Sequence, residues 1–273
     1  MPELPEVETT CRGILPHVVN RPLGLITIRD ERLRYPVSPS LESITGDTIS
    51  TIRRRGKYLI FKLAENGHLL VHLGMSGSLR ITSPGDPCRQ HDHILIDLPP
   101  HHQLRYHDPR RFGLFLHLPT TDPEKHPLIA SLGPEPLSPD FHPQHLIEAC
   151  RQRRTTIKAV IMNAKIVVGV GNIYASEALF RAGIRPRTAA HRVAQYRLTA
   201  LTRHIRDVLT EAIEQGGTTL RDFIQSDGQP GYFRQHLFVY ERGGKTCRRC
   251  EAIIQHAVVA QRSTYWCPRC QTS

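Results

Sequence analysis

Residues 131–143 read SLGPEPLSPDFHP, and this stretch decides how the chain is divided. Each proline removes a backbone donor and blocks helix propagation, so no long regular element crosses it. The sequence changes character on either side. Upstream lie short strand-like stretches at Leu25–Arg29, Thr48–Arg53, Tyr58–Leu63, His68–Leu73, Ser78–Thr82, His93–Asp97, Gln103–His107 and Gly113–Leu118. Turn signals part them, among them Glu65-Asn66-Gly67, Pro84-Gly85-Asp86 and Pro99-Pro100. Ahead of the strands, Leu4, Val7, Cys11, Ile14 and Leu15 recur at helical spacing, with Glu3, Glu6 and Glu8 near the end where a helix dipole favours acids. Residues 1–130 therefore read as a β-sandwich or barrel with an N-terminal helix laid against it.

Downstream the period becomes helical, over 144–153, 156–163, 172–182 and 194–216, the last carrying Leu198, Leu201, Ile205, Val208, Leu209 and Ile213 on one face. Residues 216–232, GGTTLRDFIQSDGQPGY, form a long polar stretch with glycines at both ends; a loop of that length within a compact protein is usually either functional or disordered. Near the end, Cys247-Arg-Arg-Cys250 and Cys267-Pro-Arg-Cys270 have the spacing of a four-thiolate zinc site. Two disulfides are the alternative, disfavoured in a reducing compartment. Four thiolates leave zinc no open position, so the metal is expected to be structural. The expected organisation is a multidomain α+β chain: residues 1–130, a proline-rich linker 131–143, a helical domain 144–239 containing the 216–232 loop, and a zinc module 240–273.

Composition narrows the partners. The 273 residues include 36 Lys plus Arg against 25 Asp plus Glu, a net charge of +11, with 39% apolar residues. The apolar fraction excludes a disordered chain, and no apolar run reaches the roughly 20 residues of a membrane helix. The start MPELPEVETT has neither the basic patch nor the apolar stretch of a secretory signal; a cytoplasmic location is expected. The positive charge makes a polyanion the first partner to consider.

Pro2 follows the initiator Met. Trimming of Met1 would expose a secondary amine at the head of an ordered helix. An α-amine of pKa about 8 leaves roughly a tenth of itself as free nucleophile near neutral pH, suited to attack on a carbonyl-like carbon. The adduct of a secondary amine with a sugar C1′ is an iminium, cationic without protonation and thus an electron sink. The structural alternative is a helix-starting proline. Glu3 is the nearest carboxyl and could act as general acid or base, or only face the helix dipole. Lys57 sits in the basic run Arg53-Arg54-Arg55-Gly56-Lys57, which is either a solvated face or a phosphate contact.

These pieces resemble one family. PELPEVE, RRRGKYL, HLGMSG, DPRRFG, VVGVGNIYASEALF, EQGGTTLRDF and QRSTYWCPRCQ follow one another along this chain in the order found in the formamidopyrimidine-DNA glycosylases, bacterial enzymes that excise 8-oxoguanine and ring-opened purines. The likeness spans essentially the whole chain. Pro-Glu-Leu-Pro at the start is similar to that branch, where the endonuclease VIII branch typically carries Pro-Glu-Gly-Pro. The resemblance implies an N-terminal β-sandwich with its helix, a helix-two-turn-helix domain and a four-cysteine zinc-finger β-hairpin, acting as a monomer on double-stranded DNA that contains oxidised purines or abasic sites. It also implies roles for single residues. Pro2 would attack C1′ and form the Schiff base, Glu3 would assist sugar-ring opening, Lys57 would serve β-elimination, and Arg262 would grip phosphate and serve δ-elimination. Met75, Arg110 and Phe112 would fill the hole left by a flipped base, a remedy physics also suggests, since extrusion costs a few kcal/mol in stacking. His72, His91, Arg153 and Asn172 would contact DNA, Thr218 would read 8-oxoguanine through its carbonyl, and Cys247, Cys250, Cys267 and Cys270 would hold one zinc ion. Asn163, where many members carry Asp, departs from the pattern. A catalytically silent zinc-ribbon DNA-binding protein also fits the charge and the cysteines, but leaves the ordered Pro2-Glu3 terminus unexplained.

Overall fold

The structure is a computed structural model that describes residues 2–217 and 236–273. Its described residues form two compact units, 2–130 with 215–217, and 131–214 with 236–273.

The first unit starts with α1 (Leu4–Val18) and continues through β1 (Ile26–Ile28), β2 (Ile49–Arg55), β3 (Tyr58–Leu63), β4 (His68–His72), β5 (Ser78–Thr82), β6 (Asp92–Leu98), β7 (His102–His107) and β8 (Leu114–Leu118). A single turn, α2 (Pro127–Ala130), ends it. The strands make two four-stranded antiparallel sheets, ordered β1-β6-β7-β5 and β2-β3-β4-β8. Their inner faces bury one core, to which Phe61, Leu69, Val71, Ile94, Ile96, Leu104 and Phe115 contribute. This is a sandwich and not a closed barrel. The face of α1 formed by Val7, Cys11, Ile14 and Val18 enters the same core. The helix touches β2 and β3 of one sheet and β5 of the other. It also runs past Pro16, beyond the end that the apolar spacing marks: a proline in the last turn forfeits one backbone bond, and burial of Val18 together with the Val19 N–H bond to Leu15 O holds the end. The basic run is strand as far as Arg55, pairing Arg53 with Ile60, Arg54 with Leu59 and Arg55 with Tyr58, and its last two residues, Gly56 and Lys57, form the turn. Gly56 sits there at φ +58, the first-position conformation of a type II′ hairpin turn.

In the second unit the proline-rich segment is packed in place. Phe141 is fully buried, Gly133 N–H donates to Ala164 O at 2.8 Å, and Arg206 Nε donates to Pro136 O at 3.0 Å. Four helices follow: α3 (Pro143–Cys150), α4 (Ile157–Ile161), α5 (Asn172–Arg181) and α6 (Gln195–Glu214). The expected helix over 144–153 stops at Cys150, because Arg153 N–H turns back to Cys150 O at 3.0 Å and Thr156 caps a new helix by accepting from Ala159 N–H. Two turns over 162–171 join α4 to α5. Ile166 N–H to Asn163 O at 2.8 Å closes the first, and Gly169 at φ +80 makes the second. The chain ends in a hairpin of β9 (Gln255–Val259) and β10 (Arg262–Trp266), with Val259 facing Arg262. Ala260 and Gln261, at φ +47 and +60, give its tip the type I′ signature. Buried Glu177 on α5 anchors this module by accepting from the N–H groups of Phe238, Val239 and Tyr240 at 2.9, 3.0 and 2.9 Å. Burial pushes its carboxyl pKa up, against the pull of those three bonds.

Candidate active site

Pro2 is buried and Glu3 is 2% exposed at the head of α1. Glu6, fully buried one turn on, accepts from Glu3 N–H at 2.9 Å in a capping box. Gly217, at φ +78, backs onto Glu6, where a Cβ would come within 3.0 Å of Oε1. Farther along α1, Glu8 pairs with Arg54 at 2.8 Å, and Arg54 Nη1 donates to Gly56 O at 3.0 Å. That chain of contacts lays α1 beside the turn that carries Lys57, which is partly buried.

Across the hairpin, the Tyr58 and His72 rings lie 4.9 Å apart. His72 Nδ1 accepts from Gly74 N–H at 2.9 Å, which leaves the ring proton on Nε2 as a donor. Burial, then the positive charges of Lys57 and Arg34, push the His72 pKa down to about 4. At neutral pH it is an uncharged donor in a basic neighbourhood.

The loops HLGMSG and DPRRFG lie backbone against backbone. A Cβ on Gly74 would strike the Phe112 carbonyl and Gly113 N, and one on Gly113 would strike the Tyr106 hydroxyl and His72 O, so both positions demand glycine. Asp108, fully buried, fastens the pair, its carboxylate accepting from Ser76 Oγ at 2.9 Å and Gly113 N–H at 2.8 Å. Ser76 Oγ in turn accepts from Arg110 N–H at 3.2 Å, and Asp108 N–H donates to His91 O at 3.1 Å. His72, Met75, His91, Arg110 and Phe112 are thereby gathered at one end of the sandwich. Met75 is partly buried, whereas Phe112 is 47% exposed and stacks under the Arg110 guanidinium at 5.1 Å. Behind them, Asp92 takes Arg80 at 2.5 Å and His107 at 2.9 Å. Burial raises its pKa, but His107, the Arg89 N–H and Arg80 together hold it far below the usual carboxylate range.

The second unit holds Arg153, Asn172 and Arg262. Arg153 is exposed in the turn between α3 and α4 and donates to Ala149 O at 3.1 Å. Asn172 opens α5, yet its Nδ2 donates to Ser263 O at 2.9 Å, next to exposed Arg262. Lys158 was not among the expected site residues. It is 2% exposed, and its Nζ donates to Ser263 O at 3.2 Å and Thr264 Oγ1 at 2.7 Å. Lys158 and Asn172 thus hold the hairpin strand that presents Arg262, and Lys158 and Arg262 both line a cavity of about 220 Å³. A lysine within the apolar run Ile157–Ile161 was the available signal. Thr218 lies outside the described residues.

The four expected cysteines converge, with all Sγ atoms within 4.8 Å of one another. Cys250 to Cys267 is 3.4 Å and Cys247 to Cys270 is 3.9 Å, around the roughly 3.8 Å that four ligands at about 2.3 Å from a tetrahedral zinc require. Arg249 N–H and Cys270 N–H point at Cys247 and Cys267 sulfurs at 3.4 Å, as suits thiolates. The set fits one structural zinc ion.

Three family models match this chain: the formamidopyrimidine-DNA glycosylase N-terminal domain over residues 1–115, the H2TH domain of the same family over 132–224, and the zinc finger found in FPG and IleRS over 244–272. The formamidopyrimidine-DNA glycosylases of Methylococcus capsulatus and Thioalkalivibrio sulfidiphilus are 52% and 54% identical over 272 residues, covering 99% of this chain and 100% of each relative. The crystal structure of MutM (FPG) from Thermus thermophilus is similar at TM-score 0.88 and 38% identity, covering 99% of this chain and 98% of that one. A Lactococcus lactis FPG mutant in complex with DNA containing Fapy-dG is similar at TM-score 0.93 and 34% identity, over 100% of both chains.

Proposed function

The chain belongs to the formamidopyrimidine-DNA glycosylase family, and from that premise we propose that it is a bifunctional DNA glycosylase and abasic-site lyase of base excision repair. Its substrates are oxidised purines, 8-oxoguanine and formamidopyrimidines, in duplex DNA, and it works as a monomer in the bacterial cytoplasm. The observation that carries this reading is the head of α1. Pro2 and Glu3 are buried, Glu6 accepts from Glu3 N–H, and farther along α1 Glu8 pairs with Arg54, which donates to Gly56 O next to Lys57; a buried, capped terminus is a placement suited to a fixed nucleophile.

With Met1 trimmed, the Pro2 nitrogen attacks C1′, the damaged base departs with the electrons of its bond, and the nitrogen gives up its proton to the departing base or to water. Glu3 gives a proton to the sugar-ring oxygen, which opens the ring and leaves a cationic iminium on Pro2. A base takes the C2′ proton, the electrons of that bond flow into the iminium, and the resulting enamine expels the 3′ phosphate; loss of the C4′ proton then drives a second elimination that expels the 5′ phosphate. Lys57 serves the first elimination. Arg262, held by the hairpin, serves the second. Met75, Arg110 and Phe112 fill the space of the extruded nucleotide, with Arg110 facing the orphaned base. His72, His91, Arg153 and Asn172 contact the DNA, and Thr218 reads the lesion. The zinc ion shapes the hairpin and takes no part in bond breaking.

Initial rates of base release on defined duplexes test the substrate class. Excision of 8-oxoguanine opposite cytosine should exceed excision of thymine glycol at least tenfold. The reverse order would assign the chain to oxidised pyrimidines instead.

A further inference from the structure

Arg111 stands between Arg110 and Phe112 with φ +58. Among the described residues of the first unit, the only other non-glycine with positive φ is Asn20, a residue type that tolerates the left-handed region, whereas arginine meets a steric penalty there. Contacts around Arg111 have to offset it. Its N–H turns back to Asp108 O at 3.2 Å, a bond that any residue but proline could make. Its side chain supplies the rest: Arg111 Nη2 donates to Asp30 Oδ2 at 2.5 Å, the two side chains being 33% and 16% exposed. Asp30 also accepts from Arg32, at Oδ1 from Nε at 2.9 Å and from N–H at 3.1 Å, and at Oδ2 from Nη2 at 2.8 Å, but the Arg32 side chain stands in solvent and belongs to Asp30's own segment. That segment is itself fixed. Arg29 N–H donates to His93 O on β6 at 2.8 Å, Val37 enters the sandwich core and Leu33 packs against it. From the same segment Arg34 N–H donates to Gly113 O at 3.1 Å. Residues 30–34 thus grip the DPRRFG loop at Arg111 and Gly113, while Asp108 holds it from the other side through Gly113 N–H.

We propose that Asp30 is a positioning residue for reading the base opposite the lesion: by holding Arg111 in the left-handed region, it sets the directions in which Arg110 and Phe112 leave the loop. This rests on the role proposed above for Arg110, which faces the orphaned base. The backbone rotation at Arg111 lies between the two side chains. Its return to an extended φ, a change of roughly 180°, would turn one away from the other and part the Arg110 guanidinium from the Phe112 ring, now 5.1 Å apart. A guanidinium presents donors only. The pairing edge of cytosine offers it two acceptors, O2 and N3, whereas that of adenine offers one, N1, beside an amino donor. Discrimination between these bases therefore depends on the aim of Arg110, and that aim on the Asp30–Arg111 pair.

Two readouts on full-length, zinc-loaded protein test this. The first is hydrogen exchange without DNA: in Asp30→Ala, residues 109–113 should exchange about fivefold faster or more, with β6 and β7 as protected as in the wild type. The second is the ratio of initial rates of 8-oxoguanine excision opposite cytosine and opposite adenine. It should fall about fivefold or more in Asp30→Ala and stay within about twofold of wild type in Asp30→Asn, whose amide oxygen still accepts from Arg111. Glycine adopts the left-handed conformation unaided, so adding Asp30→Ala to Arg111→Gly should change neither readout further. Unchanged exchange in Asp30→Ala overturns the clamp. Faster exchange with a wild-type ratio overturns the positioning role, and so does a further loss when Asp30→Ala is added to Arg111→Gly. If the wild type excises neither substrate, the repair reading fails, and the exchange result alone decides whether Asp30 holds the loop.

Discussion

Asp108→Ala tests whether the two loops that carry Met75, Arg110 and Phe112 depend on one buried carboxylate. The substitution removes the acceptor for Ser76 Oγ at 2.9 Å and Gly113 N–H at 2.8 Å. Each stranded buried donor costs about 1–3 kcal/mol, so the loss is about 4 kcal/mol. At roughly 2–4 °C per kcal/mol for a domain of this order, the first unit should melt about 10 °C lower. Asp108→Asn should recover only part, because its amide presents donors to donors. Well below the melting range, excision of 8-oxoguanine from duplex should fall at least tenfold. Cleavage of an abasic site in single-stranded DNA, where no partner base leaves a hole to fill, should suffer less. A variant whose melting temperature moves by less than about 2 °C would refute the role given to Asp108, and equal losses on both substrates would refute the link to hole filling.

Three further outcomes follow. His72 has a folded pKa pushed down to about 4 by burial and by Lys57 and Arg34; from about pH 6.5 down to 4 the unfolded chain takes up a proton that the folded chain refuses, so stability falls with acidification across that window. Denaturant titrations at pH 7 and pH 4.5 should show a smaller loss in His72→Gln than in the wild type, and parallel losses would contradict the assignment. Replacing Cys250 and Cys267 together by Ser should abolish hydrogen-exchange protection over residues 255–266 and duplex binding while leaving α1 protected, because metal binding and folding of such modules are linked. Arg262→Ala should weaken duplex binding and lower the salt slope by about 1; an unchanged slope would remove Arg262 from the phosphate contacts.

The strands could be read from the sequence because each carries its own apolar run between turn signals; β3 and β5 match their expected bounds at both ends. Boundaries moved where distant groups decide them. Strand β2 runs on to Arg55 because β3 pairs with it, and α3 stops at Cys150 because Thr156 caps a separate helix. The cysteine ligands were legible because zinc chemistry restricts both residue type and spacing. Buried ionic groups were not. Lys158, Asp108 and the Asp92–Arg80–His107 cluster look like surface residues in a linear reading, and their partners lie on other elements, so only the folded chain shows what offsets their desolvation. Asn172 illustrates the same gap: its place at the start of α5 was plain, but its bond to Ser263, 91 residues away, was not.

The proposed reaction requires that the nitrogen of Pro2 become bonded to deoxyribose during turnover. Borohydride reduction of the protein with an abasic-site duplex, followed by peptide mass mapping, tests it most directly. A covalent complex is expected whose added mass sits on an N-terminal peptide beginning at Pro2, with no complex from protein that retains Met1. An adduct mapped to Lys57 or any other lysine, or efficient trapping by the Met1-bearing chain, would contradict it.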